Sequence, residues 1–355
     1  MTAAGLVLIH RVYFKCQRCV TGEYPLDARL GIAGGISRQA RRMVTLAGAS
    51  WSFAGASSHL QELCGLSLSH EWIRTLCHQE SGRIEAWSEE SDAASEIFRQ
   101  SKGNIEFQTD GTSVNTREGW REMRLGIVAK RLPGKPSTAG DWDKRKIPSP
   151  SARVAFAAIE DSETFASRWR PRIRRLGIAD TSEITVLADG AEWIWRQADI
   201  QFPGSRGLLD IYHAIEHLSD AGKRLYGEGS SEATDWTDRG REALLTNGWS
   251  GLCEHLVPAM EAKTSPIIRQ PLEELVGYFS KQIHHLDYPS RLQSGESIGS
   301  GMVEGAAKNV IGRRLKQTGA RWLVPRANRM ATLCCTLYSD IWQNYWTDPL
   351  NAKIG

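Results

Sequence analysis

Cysteine is scarce. Seven in 355 residues, widely scattered, form no disulfide framework, so a reduced cytoplasmic setting is the default. No apolar run reaches the roughly 20 residues a membrane-spanning helix needs, and no membrane partner is expected. The start, MTAAGLVLIHRVYFKC, has no basic lead and no small-residue cleavage pattern, which excludes a secretory signal. Its apolar residues predict a strand instead. Strong net charge is also lacking: 44 Lys and Arg stand against 41 Asp and Glu, leaving +3. No internal repeat is found. A hydrophobic content of 41% and a charged content of 24% are those of a globular chain with room for one large and one smaller domain, or two ordinary ones.

The small net charge hides an uneven distribution. Residues 121–175 carry 14 Lys and Arg against 6 Asp and Glu, a net +8. Residues 281–330 carry 9 against 3, a net +6, whereas residues 1–100 balance at 10 against 10. Two cationic regions in a nearly neutral chain point to a polyanionic partner, nucleic acid above all. The plainer alternative is a solvated basic face.

Residues 5–24 alternate and end in the C-x-x-C of Cys16 and Cys19, the pattern of a zinc-ribbon hairpin tip. Four ligands are needed and one knuckle is present. Zn²⁺ here therefore requires ligands from another chain or from a longer N-terminal region, and a truncated start is the preferred expectation. Two free surface thiols are the alternative. Helical periodicity covers 36–100 in three segments, ISRQARRMVTLAGA, SFAGASSHLQELCG closed by Gly65, and LSLSHEWIRTLCHQESGRIEAWSEE capped by Ser67 or Ser69. The last two, joined across Gly65, fit a helix-turn-helix whose final helix would read DNA. Helical hairpins that bind nothing share this pattern.

Strand patterns begin at 103 with GNIEFQTDGTSV, GWREMRLGIVAKRL and ARVAFAAIED, the last two separated by a Pro-, Gly- and Lys-rich loop. A helix, SETFASRWRPRIRRLGI, is broken or kinked by Pro171, and EITVLADGAEWIW is a buried strand ending in Asp-Gly. Three strands, a helix and a fourth strand predict an α/β fold with a mixed sheet. From LLDIYHAIEHL to about 280, and again from 297, the pattern is helical.

Asp110 and Asp189 each follow an apolar strand and precede a glycine. Acids at the C-terminal ends of sheet strands stand where α/β proteins bind ligands. Either Asp-Gly alone is also an ordinary turn. Glu304 stands in SIGSGMVEGAAKNVIGRRLKQTGARW, where every neighbour is apolar, small or cationic. Helical spacing puts it on one face with Ala307, Ile311 and Leu315, directed at the sheet. An inward carboxylate is costly without a cation; the alternative is a surface pair with Lys308. Three carboxylates from two strands and a helix suit two Mg²⁺ or Mn²⁺ ions, which prefer oxygen ligands and can clamp a phosphoryl displacement. Arg313, Arg314, Lys316, Arg321 and Trp322 would then track a DNA backbone.

Together QTDGTSV, LADGAEWIW, LLDIYHAIEHL and IGSGMVEGAAKNVIGRRLKQTGARW resemble the DDE transposases of bacterial insertion sequences, specifically the ISKra type related to Mutator-like elements. The resemblance covers essentially the whole chain. It implies an RNase H-like catalytic core with a helical insertion. It implies Asp110, Asp189 and Glu304 as a metal-binding catalytic triad, and Asp210 and His213 as the D-x-x-H motif of Mutator-type enzymes, supporting the active site or touching DNA. Ordinary packing of His213 and His217 on an amphipathic helix is the alternative for that motif. The implied activity is DNA recombination by a mobile element: hydrolytic cleavage at the element's ends, then attack of the freed 3′-hydroxyl on target DNA. The partner is double-stranded DNA at both steps, in a nucleoid-associated homo-oligomer that joins two ends.

The implied division is a partial zinc-ribbon hairpin at 1–30, a helical DNA-binding domain at 31–100, the core at 101–220 and 296–355, and the insertion at 221–295. A catalytically inactive DNA-binding derivative is the main alternative; it would shift DNA without cutting it. A structure-specific nuclease on the same core would cut without strand transfer. A zinc-dependent regulator would use Cys16 and Cys19 and leaves Glu304 unexplained.

Overall fold

Two runs rich in β-branched and aromatic residues meet at the turn before Gly119 and organise the molecule. In the computed structural model, which describes residues 1–180, 182–262 and 265–352, they form β1 (Asn104–Thr116) and β2 (Gly119–Arg131), antiparallel along their whole length. β3 (Ala152–Ala158) adds antiparallel to β2. On the other side of β1, β4 (Ile184–Ala188) and β5 (Arg206–Leu209) add in parallel, giving the order β3-β2-β1-β4-β5. The sheet is mixed, as expected, with one strand more than the four expected. Sequence periodicity assigns Leu208 and Leu209 to the following helix, because a four-residue apolar run cannot be told from a helix start. Pairing with β4 makes it a strand.

Successive side chains point to opposite faces of the sheet. Phe107, Val128, Phe156 and Val186 share one face and pack on Phe165, Trp169 and Ile194. These come from α5 (Ser162–Ser167), α6 (Trp169–Arg175) and α7 (Glu192–Gln201). The expected kinked helix is thus two helices, divided at Arg168. In a continuous helix the Pro171 ring would clash with the carbonyl four residues back, that of Ser167.

The opposite face carries Gln108, Leu125, Ile127 and Leu187. Toward β5 it meets α8 (Ile211–Tyr226), α9 (Ser231–Ala262), α10 (Pro266–Ser280) and α11 (Tyr288–Gln293), a helical stretch as expected for 221–295. Toward β2 it meets α12 (Gly301–Ala306) and α13 (Val324–Tyr338), with α14 (Trp342–Thr347) behind them.

The N-terminal bundle obeys its sequence signals closely. α1 (Arg38–Ser50), α2 (Phe53–Cys64) and α3 (His70–Glu90) are N-capped by the hydroxyls of Ser37, Ser52 and Ser69, α2 ends at Gly65 in the left-handed conformation, and α4 (Ala93–Gln100) follows α3. Ile73, Leu76, Ile84 and Trp87 bury α3 between α1, α2 and α13. Glu80, fully buried on α3, lies 3.2 Å from Arg41 of α1 and accepts from Tyr345 of α14. Residues 31–100 therefore share one continuous core with the C-terminal helices. The exposed strip of α3 holds Glu71, Gln79, Glu85, Glu89 and Glu90.

The expected N-terminal strand shrinks to two residues. Phe14–Lys15 pairs with Gly22–Glu23, and the turn between them holds Cys16 and Cys19, both exposed. No helix is long and apolar enough to cross a membrane among the described residues.

Candidate active site

β4 sets the level of the site. Gln108 pairs with Leu187, so Asp110 and Asp189 each stand two residues further along adjacent parallel strands. Such strands are about 4.8 Å apart. Ala188 pairs with Leu209, so Asp210 comes one residue later at the same level on β5. Three acids line up across β1, β4 and β5.

Asp110 differs from expectation in one respect. It does not end its strand but sits mid-ladder opposite Leu125, because β2 carries β1 on to Thr116. That excludes a turn role for Asp110. Its Oδ1 accepts from the Gly111 amide at 2.6 Å. Burial pushes its carboxyl up from the ordinary value, and the negative charges of Asp189 and Glu304 push the same way. The Gly111 N–H and His213 oppose them. Asp189 and Glu304 are thus each within electrostatic reach of Asp110.

Asp189 directly follows β4, and its Oδ1 accepts from Ala191 N at 3.0 Å in a turn. Gly190 has φ +90°, and a Cβ there would stand 2.7 Å from the Tyr278 hydroxyl, so only glycine fits. Tyr278 donates to the Asp189 carbonyl at 3.2 Å, and Gln282 to the Gly190 carbonyl at 3.0 Å. Burial, then Asp189 and Asp210, push the Tyr278 phenol upward. His217 stacks on the Tyr278 ring at 3.7 Å. His213 lies 3.5 Å from Glu216 and half-buried.

Glu304 is half-buried in the first turn of α12. It lies at the rim of the stripe formed by Val303, Ala306, Val310 and Leu315, not inside it. The counting that put Ala307, Ile311 and Leu315 on its face assumes a regular helix. Ala307–Gly312 is instead a π-helix, whose wider turn rotates the downstream residues about the axis. No Glu304–Lys308 ion pair forms among the described residues.

Asp210 holds this helix in place. It is fully buried, N-caps α8 by accepting from Tyr212 N at 2.7 Å and His213 N at 3.1 Å, and accepts from Ser300 N through its other oxygen. Gln108, equally buried, accepts from Val303 N at 3.1 Å. The sheet thus grips α12 by two backbone amides on either side of its first turn. The sequence leaves Asp210 between support and DNA contact; in the fold it is fully buried. Gln108 escapes the sequence reading, although a lone amide two residues before Asp110, on the same strand face, is a readable signal.

The cationic segment divides. Arg313, Lys316 and Arg321 are exposed, and Lys316 donates to Thr112, two residues past Asp110. Arg314 and Trp322 are not exposed with them. Arg314 is buried, donates to the Gly48 carbonyl at 2.8 Å and lies over the rings of Phe53 and Trp322. Trp322 is buried, donates through its indole to the Leu315 carbonyl at 2.9 Å, and its backbone bridges Asn115 and Arg117 at the end of the β1–β2 ribbon. Beside α12 a cavity of about 230 Å³ is lined by Gln108, Arg131, Trp142, Arg145, Tyr212 and Gly299.

The donor set fits a hard divalent cation: three carboxylates, none in an ion pair among the described residues, one with its charged form disfavoured. No three His, Cys, Asp or Glu side chains are gathered tightly enough to hold a metal ion among the described residues. Asp110→Asn should therefore raise the melting temperature of the metal-free protein at neutral pH. A raised folded-state pKa means the folded protein loses stability as pH rises from the ordinary aspartate value through the raised one. The gain should vanish at low pH, and Mg²⁺ should stabilise wild type more than the variant. Thermal melts with chelator and with Mg²⁺ check this; a destabilised variant under chelation contradicts it.

At the N-terminal tip, Cys19 is drawn down to about 7, first by the Thr21 hydroxyl, then by the Thr21 backbone and Cys16. With Cys16 it would supply half of a four-ligand Zn²⁺ site.

No family model matches the chain, and no curated protein does. Among solved structures it is similar to the Drosophila P element transposase strand transfer complex, with 10% identity, a TM-score of 0.42, and 88% of this chain and 96% of that chain covered.

Proposed function

We propose that this chain is a DNA transposase with an RNase H-like core, acting on the ends of an insertion sequence. Asp110, Asp189 and Glu304 are the carboxylates that would hold two Mg²⁺ or Mn²⁺ ions. When bound, such ions supply charge neutralisation at the attacking and leaving oxygens of a phosphodiester. The observation that carries this reading is the register of β1 and β4, which sets Asp110 and Asp189 level, together with the electrostatic coupling of Asp110 to Glu304.

The chain's own residues do the rest. Asp210 and Gln108 position α12 and with it Glu304. Lys316, Arg313 and Arg321 attract the phosphate backbone toward the acids. Tyr278 and Gln282 hold the turn that carries Asp189. The reaction is hydrolysis of a phosphodiester to a 3′-hydroxyl, then attack of that hydroxyl on a second DNA with release of its own 3′-hydroxyl.

The catalytically inactive DNA-binding derivative is favoured by one observation, the absence of a tight three-ligand group among the described residues. Incubating the purified chain with Mg²⁺ and DNA bearing the flanks of its coding region separates the two. Nicked ends and products joined to a target plasmid support the transposase. Shifted DNA that stays intact in both Mg²⁺ and Mn²⁺ supports the derivative.

A further inference from the structure

A second cavity, of about 340 Å³, opens between the N-terminal bundle and the 317–326 segment. That volume lies in the roughly 300–1,000 Å³ range of small-ligand sites. Its wall carries five guanidiniums, Arg74, Arg117, Arg314, Arg321 and Arg326. Arg74 is paired with Glu71 at the rim; the other four have no carboxylate within ion-pair distance among the described residues. Like charges converging on a cavity repel one another unless an anion joins them.

Two further observations point to a ligand. Arg314 is 3% exposed, lies over Phe53 at 4.6 Å and Trp322 at 5.1 Å, and has an Nη2 that is buried without a hydrogen-bond partner. His78, 7% exposed, has both ring nitrogens buried and unpartnered. Orphaned buried polar atoms are rare in native folds and call for an explanation. The His78 imidazole is pushed down to about 4, first by burial, then by the positive charges of Arg74, Arg329, Arg326 and Arg314. The field in this cavity is therefore positive.

We infer that this cavity binds a nucleotide unit through its phosphate, with Arg314 and Arg326 as the principal donors. A guanidinium fork matches phosphate oxygens in geometry and charge. The inference does not rest on the transposase reading, because the cavity is lined by none of the three carboxylates of the proposed active site. The phosphate could be delivered by a free nucleotide or by a DNA strand.

The test is a titration of the full chain, with ring-labelled histidine, by inorganic phosphate, dAMP and a short 5′-phosphorylated single strand. The His78 resonance is assigned with His78→Gln. A saturable shift is expected, with the His78 pKa raised because bound phosphate offsets the arginine charges. Arg326→Gln should weaken binding about tenfold, as expected for losing one charge-assisted contact. Saturation by dAMP identifies a free nucleotide as the source; saturation by the strand alone identifies DNA. No response of His78 to any of the three probes at millimolar concentration overturns the inference. So does a response that Arg326→Gln and Arg321→Gln both leave unchanged in folded protein. The measurement involves no cleavage, so its outcome is independent of the active-site variants.

Discussion

Replacing Glu304 by Gln is expected to lower Mg²⁺-dependent DNA cleavage by two to three orders of magnitude or more, the scale of losing one preorganised electrostatic partner. The substitution keeps the shape and one oxygen but removes the charge, and hard divalent ions favour anionic oxygen. Folding should be nearly unaffected, because Glu304 is half-buried and in no ion pair among the described residues. DNA binding should also persist, since Lys316, Arg313 and Arg321 lie outside the change. The check is a nicking assay beside a gel shift and a thermal melt. Wild-type nicking by Glu304→Gln removes this residue from the site. Loss of nicking together with loss of folding leaves its role to Asp110→Asn, which the structure expects to fold at least as well as wild type.

The second large effect is on stability. Asp210→Ala should cost about 3 kcal/mol, because three backbone N–H groups lose a charged acceptor in a fully buried place. For a chain of this size that is a fall of roughly 4 °C in melting temperature. Cleavage should fall as well, since the start of α12 is released. Asp210→Asn separates the two roles: its oxygen can still cap α8, but its amide would face the Ser300 N–H, donor against donor. It should retain much of the stability, lose turnover more than DNA affinity, and show faster hydrogen exchange at Ser300. Should Asp210→Ala melt within a degree of wild type, the clamp is not what holds α12.

Much of the fold was legible because its signals are local. The serine cap of α3, the Gly65 stop and the apolar alternation of β1 and β2 are each determined by a few neighbouring residues. Asp189 was legible for the same reason: a buried strand, then an acid, then a glycine that its φ requires. The fifth strand was not, since four residues show no period until a neighbour supplies hydrogen bonds. Arg314 and Trp322 looked like their exposed neighbours because a guanidinium or an indole in a basic run carries no mark of burial. Their places were set by Phe53 and the Gly48 carbonyl, more than 260 residues away in the chain.

The sequence by itself determined most of the helices and four of the five sheet strands, where the acids and cations stand along the chain, and that Glu304 lacks a local partner worth its charge. Only the tertiary structure decided that Asp110 and Asp189 are level. That depends on β1 and β4 pairing in parallel across 79 residues of chain, and register between distant strands is set by the packing of both sheet faces. The same holds for α12, whose first turn is fastened by Asp210 and Gln108 from two different strands. No period in its own residues records those two hydrogen bonds.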